Sequence, residues 1–249
     1  MTKRILCLCV ATAFLVFPGC APRERHPSII EEPPVVAPSP PQPAPAIPKP
    51  PVPSVKIPTF GTLKGKTIVV DAGHGGKDPG SLGTCFSTMA EKKINLAMAT
   101  EVAKQLKARG AKVVMTRTSD RFIELEDRAA MADRYHADLF VAIHSNSNPD
   151  SSRRGAVVYT ARQPSHQSVI AAMKIDQAIR NAGIASDTDR ADYKVLTLHS
   201  RPAVLVECGY LSNYNDCKRL NSSAYRTQIA TVIAAGVSNY LARYAAGDL

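Results

Sequence analysis

After residue 58 the apolar positions fall into two alternating rhythms. Short aliphatic or β-branched runs recur at Thr67–Asp71, Lys112–Thr116, Leu139–Ile143, Gly155–Thr160 and Ala203–Glu207. Such runs have the composition of strands buried on both faces. Lys194–Thr197 reads as a weaker strand of the same kind, bringing the expected sheet to about six strands. Between these runs the apolar positions step by three and four. Over Ala90–Arg109 the stripe is Ile94, Ala97, Met98, Val102 and Leu106, with Gly110 as a stop. Ile123–Tyr135, Ser165–Asn181 and Ala224–Tyr244 read as further helices. Strands alternating with helices predict an α/β fold, a single domain from residue 59 to 249 with helices on both faces of its sheet.

The first 58 residues have neither rhythm. Lys3 and Arg4 precede a 13-residue apolar run, Ile5–Phe17, followed by Pro18, Gly19 and Cys20. Charge, a short apolar core and small residues before a cysteine mark residues 1–19 as an export signal too short to span a bilayer. The signal is similar to that of bacterial lipoproteins, with Phe17 where leucine is usual. It predicts cleavage before Cys20 and acylation of its thiol, hence anchoring to a membrane. Residues 20–58 then form a proline-rich linker: 14 of the 19 prolines lie between positions 21 and 58. Such a segment favours extended stretches, and 38 residues at roughly 3.1 Å each could reach on the order of 100 Å. An exported, lipid-anchored domain on a long spacer is the expected arrangement in the cell envelope.

Charge and cysteine content narrow the class. Residues 59–249 hold 25 basic and 18 acidic side chains, a net +7. The excess suits a solvated surface or an anionic wall or lipid partner. Nucleic acid is excluded as a partner for an exported chain without an aromatic-interleaved basic patch. With Cys20 acylated, Cys85, Cys208 and Cys217 remain for the domain, so at most one disulfide forms and one thiol stays free.

Three of the apolar runs end in residues that carry chemistry. Val69-Val70-Asp71 leads into Gly73-His74-Gly75-Gly76, where the chain turns sharply and presents an imidazole. Leu139–Ile143 leads into His144, and Ala203–Val206 into Glu207. Strand ends at one edge of an α/β sheet are where ligand sites form. His74 and His144 would supply two ligands to a zinc ion, and Glu91, 17 positions after His74, a third. Zinc so held keeps a net positive charge and acidifies a bound water. Glu207, in an apolar run that would raise its pKa, fits a general base. Other roles stay open on the residues alone: His144 as a buried hydrogen-bonded histidine, Glu91 as a first-turn helix acid, and Glu207 as the partner of a buried arginine. Asp71 either orients His74 or merely ends its strand. His199 would line the cleft near Glu207, whereas His136 and His166 lie at exposed helix ends and His26 in the linker.

VVDAGHGGKDPG at 69–80, Glu91 with Asn95-Leu96, AIHSNS at 142–147 and PAVLVECGYLSN at 202–213 together resemble the zinc-dependent N-acetylmuramoyl-L-alanine amidases of the amidase 3 type. The resemblance covers Thr67 to Tyr244. It implies a twisted, mostly parallel mixed sheet, zinc on His74, Glu91 and His144, and Glu207 as the catalytic glutamate. It also implies peptidoglycan as substrate, cut between N-acetylmuramic acid and L-alanine. Zinc cleavage within the stem peptide, or non-catalytic wall binding, are the alternatives. Some relatives carry a blocking helix between the last histidine and the glutamate. Here that interval is 63 positions, already used by other elements, so an open cleft and a monomer needing no activator are expected.

Overall fold

A computed structural model describes residues 62–86 and 89–246. The expected export signal, Cys20 and the linker lie outside the described residues. The elements run β1 (Thr67–Ala72), α1 (Glu91–Ala108), β2 (Lys112–Met115), α2 (Leu125–Arg134), β3 (Leu139–Asn146), β4 (Ala156–Thr160), α3 (His166–Asn181), β5 (Ser186–Arg190), α4 (Lys194–Thr197), β6 (Ala203–Tyr210), α5 (Tyr214–Asn221) and α6 (Ser223–Ala246). The strand order is β2-β1-β3-β6-β4-β5. All neighbours are parallel except β4 against β6, giving the mixed sheet that the resemblance implied.

Alternation along each strand builds two unlike faces. Ile68 and Val70 of β1, Val141 and Ile143 of β3, and Val204 and Val206 of β6 enter the larger apolar core, where α1, α3 and α6 cover the sheet. Helix α6 runs close to α3: a side chain at Gly236 would approach the Ile175 Cα to 2.5 Å. The intervening residues Val69, Phe140, Ala142 and Leu205 enter a smaller core, closed by Ala132 of α2 and by Val195 and Leu196 of α4. Asp71, His144 and Glu207 have the parity of this second face. Register brings them together, with Asp71 beside Ala142 and His144 beside Glu207.

Two elements correct the sequence reading. Lys194–Thr197 is not a strand but the single helical turn α4, which buries Val195 and Leu196 against the second face. The strand that completes the sheet is Ser186–Arg190, at its edge. Its sequence SDTDR shows no apolar alternation because four of its five residues are exposed. Helix α5, capped by the Asn213 side chain, also went unread. Cys85 and Cys217 form a disulfide that ties the β1–α1 loop to α5, leaving Cys208 free and buried. No helix among the described residues is long and apolar enough to cross a membrane.

Candidate metal centre

The turn after β1 places the first imidazole. His74 itself adopts the left-handed conformation, φ 60°, uncommon for a residue with a side chain. Its ring Nδ1 lies 2.7 Å from Asp78 Oδ2. A proton donated by Nδ1 to that carboxylate leaves Nε2 bare and aimed at Glu91 Oε1, 3.1 Å away. Burial opposes charging of His74, but the Glu91 and Asp78 carboxylates outweigh it and raise its pKa to about 9.

Glu91, the first residue of α1, is 4 % exposed. Its Oε1 lies 3.1 Å from His144 Nδ1 and accepts from Asn95 Nδ2 at 2.9 Å and Ser145 N at 3.2 Å. Oε2 accepts from Ser81 N at 2.9 Å. Burial disfavours the charged carboxylate, yet the two histidines hold its pKa far below the usual range. The His74 and His144 rings meet edge to face with centroids 5.0 Å apart. Glycines supply the room: a Cβ at Gly73 would come within 2.2 Å of the His144 ring, and one at Gly80 within 2.6 Å of Glu91 Oε2.

Donor atoms of His74, Glu91 and His144 lie within 4.8 Å of one another. Ligands of a tetrahedral zinc at about 2.0–2.2 Å sit roughly 3.3 Å apart. The two 3.1 Å separations match that spacing. The donor set fits a zinc ion, since two imidazoles and one carboxylate are ligands that zinc takes. Proton affinity raised on both histidines by Glu91 reports the same demand for positive charge.

Glu207 stands beside this trio, 7 % exposed, with Oε2 lacking any hydrogen-bond partner. Burial pushes its pKa up to about 7, opposed by the charges of His144 and His74 and aided by that of Glu91. A cleft of about 580 Å³ opens over the four residues, with Leu125 and Tyr193 among its walls.

The other sequence candidates lie elsewhere. Asp71 does not reach the His74 ring. Its Oδ1 accepts from Arg128 Nη1 at 2.9 Å and Thr116 Oγ1 at 2.6 Å. The contact expected of Asp71 falls to Asp78, in the loop that follows the glycines. The acidic residue in the KDPG run at 77–80 is the signal in the sequence for this contact. His199 lines a separate cavity, its Nε2 3.0 Å from the Val195 carbonyl and its ring beside Phe140. His136 and His166 are exposed.

The family model described as N-acetylmuramoyl-L-alanine amidase matches residues 68–239, and the chain belongs to this amidase 3 family. YqiI of Bacillus subtilis is 35 % identical over 180 residues, covering 72 % of this chain and 86 % of YqiI. The probable cell wall amidase LytH of Staphylococcus epidermidis is 34 % identical over 72 % of this chain, which spans only 59 % of LytH. Among solved structures, the catalytic domain of CwlV, an N-acetylmuramoyl-L-alanine amidase from Bacillus (Paenibacillus) polymyxa, superposes with a TM-score of 0.67. It is 36 % identical and covers 71 % of this chain and 98 % of its own.

Proposed function

We propose that this chain is a peptidoglycan hydrolase that cuts the amide between N-acetylmuramic acid and L-alanine of the stem peptide. One observation carries the reading: three donor atoms of His74, Glu91 and His144 converge beside the buried, unpartnered carboxylate of Glu207 in an open cleft. Family membership supports the same reaction. Zinc held by these three residues would polarise the amide carbonyl and lower the pKa of a water. Asp78 keeps the His74 tautomer and ring orientation. Asn95 and Ser145 fix Oε1 of Glu91, so the carboxylate stays in place whether or not substrate is present. Glu207 takes the proton of the attacking water and returns it to the leaving amine of L-alanine. Its raised pKa suits both halves of that transfer.

The wider setting is part of the same proposal. Residues 1–58 support an exported protein held to an envelope membrane by a lipid on Cys20, with a spacer long enough to reach the wall. The interval between His144 and Glu207 holds β4, α3, β5 and α4. Helix α3 packs on α6, away from the cleft, which supports an enzyme that works without an activating partner.

The test is incubation of purified peptidoglycan with the zinc-loaded chain, followed by mass spectrometry of the products. Stem peptides beginning with a free L-alanine support the proposal. Loss of a terminal D-alanine would make the chain a carboxypeptidase, and an unchanged polymer would make it a wall-binding protein.

A further inference from the structure

Arg117 lies two residues beyond β2, is 1 % exposed and does not line the cleft. We infer that it is the positioning residue that fixes the separation of His74 and Glu91. The inference rests on the proposed metal centre, whose ligands these are. Its guanidinium gives four hydrogen bonds, all to main-chain carbonyls. Nε donates to Ala72 O at 2.8 Å, and Nη1 to Ser119 O at 3.2 Å. Nη2 donates to both Gly73 O and Lys92 O, each at 2.8 Å. Gly73 and Lys92 are the chain neighbours of His74 and Glu91. One nitrogen therefore ties together two backbone segments that the sequence separates by the whole β1–α1 loop.

The neighbouring Arg128, also 1 % exposed, makes a useful contrast. It donates to Ile123 O ahead of its own helix and to Asp71, Ala72 O and His74 O on the β1 side, and makes no bond to α1. Arg128 has a carboxylate partner. Among the described residues no carboxylate forms an ion pair with Arg117; burial and the charge of Arg128 lower its pKa, against the more distant charges of Asp71, Asp120 and Asp78. A buried cation without a directly paired carboxylate is costly unless hydrogen bonds satisfy it. Here the carbonyl dipoles do so, and the planar fork sets where those carbonyls must lie. The turn packs directly on this fork: a Cβ at Gly75, φ 132°, would approach Arg117 Nε to 3.0 Å and Arg121 O to 2.2 Å. A lysine keeps the charge, but its three donors sit on one nitrogen and cannot span the four carbonyls that the planar fork holds.

The experiment compares the whole chain with Arg117→Lys in cobalt(II) titrations against a competing chelator, reading the d–d absorption. Arg117→Lys should bind cobalt about 10–100-fold more weakly, with an altered spectrum. Leu106→Ala, buried in the core of α1 away from the site, serves as a control for lost stability. It should keep the affinity and spectrum of the unaltered chain. Unchanged cobalt binding by Arg117→Lys, or equal weakening by Leu106→Ala, would overturn the inference. Hydrogen exchange on the unaltered chain tests it without any substitution. The Gly75 and Lys92 amides, bonded to Asp78 O and Pro79 O, should be as protected after metal removal as before. If they become protected only when metal is added, the metal and not Arg117 sets the spacing. Failure of the unaltered chain to bind cobalt would instead sink the metal centre itself.

Discussion

The two faces of the sheet are written by alternate residues of the same strands, yet they do opposite things. On one face Ile68, Val141, Ile143, Val204 and Val206 lie under the long helices α1, α3 and α6. These positions are all apolar, and the helices close them off; the polar Ser145 enters that face only at the end of β3, where its Oγ donates to Asn95 of α1. On the other face Val69, Phe140 and Leu205 begin the same way, but Asp71, His144 and Glu207 follow at the strand ends. Among the described residues that face is covered by α2, of 10 residues, and α4, of 4 residues. Their shortness leaves the carboxyl ends of β1, β3 and β6 open as the cleft. The core and the site are thus two readouts of one period-two pattern. The polar residues enter that pattern at the carboxyl ends of the strands, beyond the apolar positions that the helices cover.

The largest effect expected from this contrast is on rate without stability. Glu207→Gln keeps the volume and removes the proton acceptor, so turnover should fall about 10²–10⁴-fold. Because Glu207 Oε2 has no partner, the melting temperature should stay the same or rise, as often when a strained functional group is neutralised. Muropeptide release and thermal unfolding read the two quantities. A variant that loses stability in step with activity would mean that Glu207 belongs to the core and not to the chemistry. The pH profile makes the same point. A general base works when ionised, and burial places the Glu207 pKa at about 7. Activity should therefore fall as the pH is lowered through that region, and a cation on the three ligands would move the midpoint down, never up. An activity that rises on acidification would remove Glu207 from the role.

The opposite face should give the mirror image. Ile143 is fully buried in β3, one residue before His144 and pointing away from it. Ile143→Ala should cost about 2–5 kcal/mol of folding stability. The folded fraction should turn over at close to the unaltered rate, measured well below the melting temperature. A large drop in kcat for the folded protein would show that the two faces are coupled through β3, against the division drawn above.

How much of this was legible in the sequence follows the same division. Strands buried on both faces announce themselves by unbroken apolar runs, which is why β1, β3 and β6 and the three residues at their ends could be read directly. Glu91 could not be assigned from periodicity, because an acid at a helix start has an ordinary explanation. Its place 17 positions after His74 made it a candidate ligand, the resemblance strengthened that role, and the fold then set it against both histidines. Edge strand β5 and the turn α4 were misread for one reason: each is too short or too exposed for burial to impose a rhythm. Asp78 and Arg117 escaped for another. Both act through geometry that forms only when a loop folds back, His74 to Asp78 and Gly73 to Lys92. A string of residues does not display that closeness. Asp71 illustrates the reverse error, since adjacency in sequence suggested His74 as its partner, whereas the fold sets its carboxylate against the side chains of Arg128 and Thr116.

The smallest effect should come from the rim of the cleft, where α2 meets α4. Lys194 Nζ lies 2.9 Å from Glu126 Oε1 across that junction, with both side chains more than half exposed. The Lys194 ammonium lowers the Glu126 pKa, but water and salt screen such a pair. The burial of Val195 and Leu196 against the sheet is what holds α4 down. Lys194→Ala should then move the melting temperature by no more than about 2 °C, and the shift should vanish in high salt. A larger and salt-independent loss would mean that the wall of the open face is pinned by its charges. The shortness of α4 would then no longer account for the cleft, and the contrast between a closed face and an open one would need another cause.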